Sequence, residues 1–598
     1  MRAPGWYLAR LRAMSSRELA WRASSAVAAR LGPRRRLAAP SWSGQWPNSL
    51  RRLVETNGQA FVSDAERIAA GELELWGRRL ETDPHALEWA RDPFGGGADR
   101  KPLWELNRQQ HLFPLAAGAL LADRPDWARL CSDQILAWIE QRPRRSWESG
   151  YEAAHVLVAW AWTLPLVSHV LSDEERSRIG AAYAELTAFA LERPSRYSSA
   201  NNHRLAELAG LLGATAAGVE LEWEPLWAEL EREVAHQTYA DGGSREQAGG
   251  YFLYVLEILW VAGVFARASG RSLGGLPERL EAMVGWLEAV ARVDGEPPFF
   301  GDDAEDRLLR VEYFEPRRAA TIAGRVRALL AGELTLLPAP VRPASRSLLL
   351  PESGLAVFRA GPAARVAVDV GELGFGSLAA HGHADALSLL LDVDCEELLR
   401  DSGTCAYAPP SSREPYRATA AHNTVVVDGR SQAEPTGPHI WGRRFTTKVE
   451  AHRLGDEFDH VRASHDGYRP VSHARSVSFL KPGLIVVLDR LRGPSEFEAT
   501  LIWQLAAGAS RWLLAVASQP RARRAEGDGP CSPRYTWCME APRSTWSTRG
   551  HDVVFATVVS LEGEPPRPIL RSGEATTVEL GALRLVERWQ GAAVQVER

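Results

Sequence analysis

A chain of 598 residues is too long for one compact core, so two or more domains are expected. Its hydrophobic content of 45% and charged content of 24% are ordinary for a soluble globular protein. A net charge of −5 provides no general attraction to nucleic acid or to acidic membranes. Five cysteines without a Cys-x-x-Cys pair do not form a disulfide framework, so redox arguments do not settle the compartment.

Residues 1–60 form a basic N-terminal segment. Its start, MRAPGWYLARLRAMSSRELAWRASSAVAARLGPRRR, lacks the apolar core of a signal peptide. No stretch of the chain reaches about 18 uninterrupted apolar residues, so no membrane span is predicted. We expect a solvated helix packed on the domain that follows, and contact with a membrane surface is the alternative.

Residues 61–340 are predicted to be helical, because apolar residues recur there at spacings of three and four. Ser172, followed by three acidic residues, predicts a capped helix start. Consecutive helices without strands imply helix-on-helix packing, but the pattern does not separate a bundle, a superhelix and a closed toroid. The predicted segments include Ala65–Leu80, Trp127–Gln141, Ala153–Leu171, Asp173–Glu192 and Val255–Ala268.

The Pro-rich stretch LLPAPVRPAS, residues 336–345, ends the helical periodicity and marks the predicted domain boundary. Residues 345–598 contain short alternating segments separated by turns, which predict antiparallel sheets in two stacked layers. The predicted strands include Ala356–Arg359, Arg365–Val370, Thr424–Val427, Thr446–Ala451, Val477–Leu488 and Thr500–Leu505.

The second domain has three potential catalytic or metal-binding side chains at alternate positions, namely His381, His383 and Asp385. In an extended chain such residues share a face, so we expect them to project together. The next segment, Ala386–Leu399, is apolar and β-prone enough for a buried hairpin.

That hairpin would return the chain to Asp401, and His422 directly precedes a further strand signal. Two imidazoles and a carboxylate that converge in this way suit Zn²⁺ or a similar divalent ion. The alternative is that the histidines are ordinary polar residues of a loop.

Two polar motifs interrupt the helical domain. SSANNH, residues 198–203, precedes an apolar helix and is either a helix cap at Asn201 or Asn202 or part of a catalytic site. DGGSREQAGGY, residues 241–251, is a Gly-rich loop that opens a helix. No P-loop or Gly-x-Gly-x-x-Gly fingerprint follows a strand there, so nucleotide binding is disfavoured.

These motifs resemble the heparinase II/III family. HGHAD, DSGT and RxxYRxTxAHNTVxVDG, in this order within residues 381–429, are similar to its C-terminal domain. The two motifs of the helical domain are similar to the catalytic half of this family and of related alginate lyases. The resemblance implies a multidomain α+β fold, an incomplete (α/α) toroid followed by a C-terminal antiparallel β-sandwich. It places the substrate cleft at the open face of the toroid.

The resemblance also implies a polysaccharide lyase that cleaves an acidic, uronic-acid-containing polysaccharide by β-elimination. Such a reaction needs a group that stabilises the uronate carboxylate, a base and an acid. Tyr254 is the alternative tyrosine, because Ser244-Arg245 and residues 248–250 depart from the family's pattern. The implied catalytic residues are Asn202, His203, Tyr251 and His381.

The same resemblance makes Trp104 and Glu246 substrate-binding candidates, and it makes His383, Asp401 and His422 ligands of a structural Zn²⁺ that fixes the loop carrying His381. Arginine binds carboxylate and sulfate in a fork, so four arginines are predicted to bind acidic sugars, with solvated surface charge as the alternative. They are Arg204, Arg245, Arg413 and Arg417.

Two other classes of function stay open. One is a uronate C5-epimerase or a glycoside hydrolase, although the adjacent pair Asp302-Asp303 is poorly placed to flank one glycosidic bond. The other is a non-catalytic glycan-binding or exopolysaccharide assembly protein. The expected partner is an acidic polysaccharide, without nucleic acid or a stable membrane span, and a homodimer is left open. The substrate class favours the periplasm or cell envelope, and the missing signal peptide leaves the cytoplasm open.

Overall fold

The computed structural model of the protein describes residues 14–28, 35–42, 45–95, 97–141, 149–316, 318–361, 363–519, 521–591 and 594–597. The predicted basic N-terminal segment lies partly outside these residues. Its described part contains two helices, α1 (Ser16–Ala28) and α2 (Gln45–Asn57).

Helices continue through the first half of the described chain. Neighbours along the chain and in space pack side by side, as α5 does on α3, α7 on α9, and α9 on α11. After α1 and α2 they are α3 (Gln59–Ala69), α4 (Lys101–Asn107), α5 (Leu112–Leu121), α6 (Pro125–Gln141), α7 (Gly150–Val167), α8 (Asp173–Glu192), α9 (Asn202–Ala216), α10 (Trp223–Gln237), α11 (Gly249–Ala268), α12 (Leu276–Val290) and α13 (Ala319–Leu330).

The helix starting after Ser172 is confirmed. The Ser172 hydroxyl accepts from the Glu175 amide, and the Glu175 carboxylate accepts from the Ser172 amide, so each satisfies a donor that the first turn leaves unpaired. The predictions over residues 127–141 and 153–171 are also confirmed within a few residues. Helix α11 begins six residues before the predicted Val255, at Gly249.

The predicted helix Ala65–Leu80 is wrong in its second half. Helix α3 ends at Ala69, and a hairpin of β1 (Glu72–Leu75) and β2 (Arg78–Glu81) follows. Its two-residue turn is Trp76-Gly77, and both residues have positive φ, 52° and 75°. This is the backbone that favours a tight hairpin, and it ends a helix whatever the apolar spacing around it.

Two helices, at Gly150–Val170 and Gly249–Ala268, are apolar and long enough to cross a membrane. Of their most apolar windows, 78% and 100% are buried within the protein. They lie in the helical core, where other helices surround them.

The second half of the described chain is built of strands. A five-stranded antiparallel sheet follows chain order: β3 (Leu348–Leu350), β4 (Leu355–Ala360), β5 (Ala364–Asp369), β6 (Leu389–Val393) and β7 (Glu396–Leu399). The hairpin predicted within residues 386–399 is therefore confirmed as β6–β7. A short helix, α14 (Pro410–Arg417), follows it.

A larger antiparallel sheet of eight strands comes next, in the order β11-β12-β13-β14-β17-β15, with β8 also on β14 and β16 also on β17. The predicted segment Val477–Leu488 is two strands, joined at the Lys481-Pro482-Gly483 turn. The strands of this sheet are β8 (Val425–Val427), β11 (Thr447–Arg453), β12 (Phe458–His465), β13 (Ser472–Leu480), β14 (Leu484–Gln504), β15 (Leu513–Ala517), β16 (Arg523–Cys531) and β17 (Met539–Ser560).

Two smaller sheets complete the described strands. They are the pair β9 (Pro435–Gly437) and β10 (Ile440–Trp441), and a four-stranded sheet of β18 (Ile569–Ser572), β19 (Ala575–Leu580), β20 (Leu583–Arg588) and β21 (Val594–Glu597).

The five-stranded sheet connects the helices to the larger sheet. Alternate side chains of its strands point to opposite faces. Val357 and Leu390 belong to the hydrophobic core of the helices, whereas Phe358, Val366 and Leu389 share a second core with the eight-stranded sheet. The sheet is thus buried on both faces, which fixes the second domain against the first.

One disulfide joins Cys405 to Cys538, 133 residues apart. The other described cysteines, Cys131, Cys395 and Cys531, are free. The cysteine count and spacing gave no sign of this pair, because the two residues meet only through the folding of two loops onto each other.

Candidate active site

The segment that follows α12 runs between the two domains. The Asp302 amide donates to the His381 carbonyl at 2.8 Å, which ties this segment to the histidine loop. Gly301, at φ +70°, makes the approach feasible, since a Cβ there would lie 2.4 Å from the Gln247 carbonyl oxygen and 2.8 Å from that of His381. The segment brings Asp302 and Asp306 into the junction.

Asp302 is fully buried and accepts hydrogen bonds from the second domain. Both terminal nitrogens of Arg413 donate to it, at 2.9 and 2.8 Å. His381 Nδ1 lies 3.1 Å from one carboxylate oxygen and His383 Nε2 lies 3.0 Å from the other. Burial alone would raise the pKa of Asp302, but Arg413 and the two histidine hydrogen bonds hold it well below its usual range.

Asp306 is equally buried but is held by the first domain. Lys101 Nζ lies 2.5 Å and an Arg108 terminal nitrogen 2.7 Å from one of its oxygens. The Tyr251 hydroxyl lies 3.2 Å from the other. Burial alone would raise the pKa of Asp306, but the charges of Lys101 and Arg108 lower it, so this carboxylate is ionised.

Tyr251 joins these two clusters. Its hydroxyl donates to Asp306 and lies 2.7 Å from the Tyr407 hydroxyl, while its ring stacks on His381 with centroids 3.7 Å apart. Burial, then the neighbouring charges of Tyr407 and Asp306, raises the pKa of Tyr251 well above its usual value. The residue is therefore a neutral phenol at any ordinary pH.

Tyr254, the alternative tyrosine, lies within the helical core. Its hydroxyl lies 2.9 Å from His155 Nε2 and 3.0 Å from the Tyr151 hydroxyl, and the side chain is fully buried. Only Tyr251 of the two stacks on the histidine of the second domain, so the geometry favours it as the reacting tyrosine.

Asn202 is the first residue of α9, and the cap is Asn201, whose side chain accepts from the His203 amide. Both donors of Asn202 point at Glu246: the backbone amide at 2.9 Å and Nδ2 at 2.9 and 3.0 Å. Asn202 Oδ1 is buried without a hydrogen-bond partner among the described residues. Glu246 thereby fixes which way the amide faces, and its Oε2 lies 3.8 Å from His381 Nε2.

His203 is half-buried beside this group and stacks on Tyr151 with centroids 4.0 Å apart. Burial, with the charge on His381, lowers the pKa of His203 to about 3. Its imidazole is uncharged at neutral pH and can accept a proton. The structure thus brings all four residues predicted to be catalytic to one junction, Asn202, His203, Tyr251 and His381.

The predicted sugar-binding arginines are not available as free cations. Arg413 is used by Asp302, and Arg417 donates to Glu414 at 2.9 and 2.6 Å and to the Gly437 carbonyl at 2.7 Å. Both are at most 2% exposed. The sequence shows the charge of an arginine but not the group with which it pairs. Arg413 and Arg417 therefore stabilise the fold, and their guanidinium groups are not free to bind a substrate.

The remaining substrate-binding candidates lie in the helical domain. Arg204 is buried and pairs with Glu207 and Glu229. Arg245 is half-buried and lies over the Tyr239 ring at 4.6 Å. Trp104 is half-buried in the short helix α4.

His383, Asp401 and His422 lie together, with one potential ligand atom of each within 4.8 Å of the others. His422 Nδ1 is 2.7 Å from an Asp401 oxygen. Two buried imidazole atoms, His383 Nδ1 and His422 Nε2, have no hydrogen-bond partner among the described residues. Unpaired buried nitrogens beside a carboxylate are the donor set that Zn²⁺ takes, so these residues fit the predicted metal.

The expectation that His381, His383 and Asp385 share one face of a strand is wrong. They lie in turns before β6, because that strand starts only at Leu389. His381 and His383 turn toward Asp302, whereas burial and the neighbouring charge of Asp385 raise the pKa of Asp369 well above its usual range. Asp385 therefore lies near the buried carboxylate of Asp369 and also near His422 and His383.

Asp302, His381 and His439 form a second close group of potential ligands. Arg413 already occupies both oxygens of that carboxylate, so the group does not offer a metal a free anionic ligand.

Asp306 and Tyr407 are site residues that the sequence reasoning missed. Both reach the junction through contacts between distant parts of the chain, 55 residues and 156 residues from Tyr251. The acidic run around Asp302 was considered only as a glycosidase pair. Four acids within five residues, 302–306, were the one local signal.

A family model described as heparinase II/III-like, C-terminal, matches residues 342–562. The second domain of this chain is thus similar to the C-terminal domain of the heparinase II/III family. The match covers the strand-built domain from β3 to β17, including the histidine loop. The helical domain is covered by the comparisons with whole proteins.

Two curated relatives are named heparin-sulfate lyase. The one from Pedobacter heparinus is 24% identical over 334 residues, 52% of this chain and 47% of the relative. The one from Bacteroides stercoris is 22% identical over 465 residues, 71% of this chain and 66% of the relative. The chain thus spans between about half and two thirds of the length of the curated relatives it matches.

Solved structures share the fold. A heparinase III structure has a TM-score of 0.68 at 15% identity and covers 94% of this chain and 93% of its own. Another heparinase III has a TM-score of 0.60 at 18% identity and covers 91% of each chain. Since both likenesses extend over more than nine tenths of this chain, they include its N-terminal helical region and its C-terminal sheet domain.

Proposed function

We propose that this protein is a polysaccharide lyase that cleaves an acidic, uronic-acid-containing polysaccharide by β-elimination. The observation that carries the proposal is the meeting of Asn202, Tyr251 and His381 at the junction of the two domains. Relatives named heparin-sulfate lyase make a sulfated glycosaminoglycan the first substrate class to test.

The elimination removes the proton at C5 of a uronic acid and expels the oxygen at C4. The C5–H bond is weakly acidic while the adjacent carboxylate keeps its full charge, so a hydrogen-bond donor at that carboxylate stabilises the enolate-like transition state. Asn202 is the residue we assign to this task. Its Nδ2 donates to Glu246 in the closed site, at 2.9 and 3.0 Å, so the substrate carboxylate has to take the place of Glu246 as the acceptor.

Tyr251 suits the role of the acid that protonates the leaving oxygen. It carries its proton at ordinary pH, and ionisation beside Asp306 is opposed by the carboxylate's negative charge. A base for C5 must instead be uncharged and able to accept. The neutral imidazole of His203 meets that requirement, and His381, stacked on Tyr251, is the second imidazole within the group.

We propose that the loops at the junction open to admit a substrate, while the five-stranded sheet keeps the two domains joined. Asn202, Tyr251 and His381 are 0%, 4% and 6% exposed. A polysaccharide chain is too large to enter so closed a site, so the contacts of Asp302 and Tyr407 with the opposite domain have to open and re-form around it.

We also propose that His383, Asp401 and His422 hold a structural Zn²⁺. The ion would cross-link three loops of the second domain and keep His381 aimed at Tyr251, and no step of the elimination passes through it. The finer architecture we propose is the incomplete (α/α) toroid and β-sandwich, supported by the side-by-side helices and by the core that the two large sheets share. The periplasm or cell envelope is the compartment in which such a substrate is met.

The test is the ultraviolet absorbance of unsaturated uronate, followed while the purified protein is incubated with heparan sulfate, other sulfated glycosaminoglycans, alginate and a neutral glucan. We expect a rise with one or more acidic glycans, none with the glucan, and weaker binding as salt increases. No rise with any acidic glycan would contradict the lyase proposal. Inversion at C5 without a rise would indicate the epimerase instead.

A further inference from the structure

Asn423 is a fully buried side chain bonded to main-chain atoms of three separate segments. Its Nδ2 donates to the Leu389 carbonyl at 2.8 Å and to the Arg400 carbonyl at 3.0 Å. Its Oδ1 accepts from the Gln504 amide at 2.6 Å. All the hydrogen-bonding capacity of the amide group is thereby directed at backbone.

The segments that Asn423 joins are those of the proposed metal ligands. Asn423 directly follows His422, and Arg400 directly precedes Asp401. Leu389 starts the strand that ends the loop of His383. One amide side chain therefore touches the main chain beside two ligands and at the end of the loop that carries the third.

Arg475 supports the same loops from the neighbouring strand. One of its terminal nitrogens donates to the Leu387 carbonyl at 2.7 Å and also to the Asn423 carbonyl. Its Nε and other terminal nitrogen bind Asp489 at 2.7 and 3.0 Å, which fixes the guanidinium. Arg475 is 1% exposed, so this ion pair is sealed within the sheet domain.

We propose that Asn423, supported by Arg475, is a positioning residue that holds His383, Asp401 and His422 at metal-binding distance. The inference rests on the metal site proposed above. Ligands that are already in place lose less conformational freedom on binding, so groups that orient them raise metal affinity. Removing these bonds should cost more free energy of Zn²⁺ binding than free energy of folding.

The deciding variant is Asn423→Asp, which keeps the side chain's shape and removes both N–H donors. The helical domain offers a matched control in Asn107, which is 1% exposed. Its Nδ2 donates to the carbonyls of Trp89 and Leu103, both at 2.8 Å, and its Oδ1 accepts from Trp138 Nε1 at 2.9 Å. Asn107→Asp therefore makes the same chemical change far from the metal group.

Zn²⁺ affinity of the full chain is measured by competition with a chromogenic chelator, alongside the melting temperature of the zinc-free protein. We expect Asn423→Asp to bind Zn²⁺ roughly 10- to 100-fold more weakly. Asn107→Asp should stay within about threefold of the unaltered protein, although both substitutions lower the melting temperature of the zinc-free form.

Equal Zn²⁺ affinity in Asn423→Asp and the unaltered protein would overturn the positioning role, as would equal losses in the two aspartate variants. Unaltered protein that binds no Zn²⁺ would instead refute the metal site itself, and glycan turnover is scored separately from both. Ser388→Ala covers the case in which Asn423→Asp fails to fold. It removes only the hydroxyl that accepts a hydrogen bond from the backbone amide of Asn423 at 3.2 Å. The loss of this bond should weaken Zn²⁺ binding by about two- to fivefold. An unchanged affinity would contradict the proposal.

Discussion

Asp302 and Asp306 are four residues apart in one segment, and both are deeply buried. Their binding partners nevertheless belong to different domains. Asp306 is held by Lys101 and Arg108, permanent cations of the same helical domain. Asp302 is held by Arg413 and two histidines of the other domain. The first cluster is internal to its domain, whereas the second exists only while the domains are together.

This difference indicates how a closed site can combine rigidity with movement. The Asp306 cluster holds Tyr251 with groups of the helical domain alone. In the opening proposed above, the Asp302 cluster is the part that would break and re-form, and His381 stacks on the ring of Tyr251 when it is in place. Four predictions test this division.

The largest effect is expected where the clusters meet. Tyr251→Phe removes the proposed acid and should lower kcat/KM by about 10²- to 10⁴-fold with little change in melting temperature. Tyr254→Phe is the control, because its hydroxyl bonds only within the helical core, and it should cost less than about tenfold. Initial rates of unsaturated-uronate formation measure both. Full activity in Tyr251→Phe would overturn the assignment.

Asp302→Asn should destabilise the protein by about 3–5 kcal/mol, because it leaves the buried Arg413 without its counter-charge. Asp303→Asn is the adjacent control: that residue is only half-buried and should cost about 1 kcal/mol or less. Chemical denaturation compares the two. If both substitutions cost the same, the Asp302 cluster does not brace the domains.

Buried histidines and buried carboxylates should affect the stability of the fold in different pH ranges. Burial lowers the pKa of His111 to about 4, so below pH ~6.5 the unfolded chain binds a proton that the folded chain does not, and stability falls as the pH drops toward 4. The loss per such histidine is about 1.4 kcal/mol per pH unit. The lowered pKa values of Asp302 and Asp306 make their contributions complete above pH ~4 and lost only below it.

Melting temperature measured from pH 8 to pH 3 tests this order. We expect a decline that starts near pH ~6.5 and steepens below pH ~4. His111→Gln should reduce the slope of the first part by the share of one histidine and leave the second part unchanged, because other buried histidines also have lowered pKa values. A curve that is level down to pH ~4 would show that the buried histidines do not set acid stability.

The smallest effect is expected far from the junction. Ser172→Ala removes one half of the capping box of α8 and should cost about 1 kcal/mol of stability. Activity at a temperature well below the melting point should not change, because no catalytic group contacts this helix end. A loss of activity there would indicate that the helical domain is more tightly coupled to the site than the Asp306 cluster implies.

The sequence pattern predicted those elements whose ends depend on interactions within a few residues. Helix α8 was predicted with the ends it has, since capping and apolar spacing both act within a few residues. The hairpin β6–β7 brought Asp401 back toward His383 as expected. The β1–β2 hairpin was missed because a turn at Trp76-Gly77 depends on backbone angles, which apolar spacing does not report.

The electrostatic part of the site could not be predicted in the same way. Arg413 was predicted to bind an acidic sugar, and only the three-dimensional fold shows that Asp302, 111 residues away, neutralises it. Tyr407 belongs to no sequence motif that indicates a function, and its hydroxyl contacts the Tyr251 hydroxyl across the two domains. Partners separated by so much chain leave no periodic signal.

The Cys405–Cys538 bond has a mechanical consequence for opening. Tyr407 lies two residues after the first cysteine and Tyr535 three before the second, and the Tyr407 amide donates to the Tyr535 hydroxyl at 3.1 Å. Tyr535 in turn packs against Trp76 of the β1–β2 hairpin, with ring centroids 4.9 Å apart. The covalent bond makes the two loops move together, so a displacement of Tyr407 from Tyr251 would also displace Tyr535 from the hairpin. In the opening proposed above, entry of a sugar chain would therefore loosen the β1–β2 hairpin at the same time.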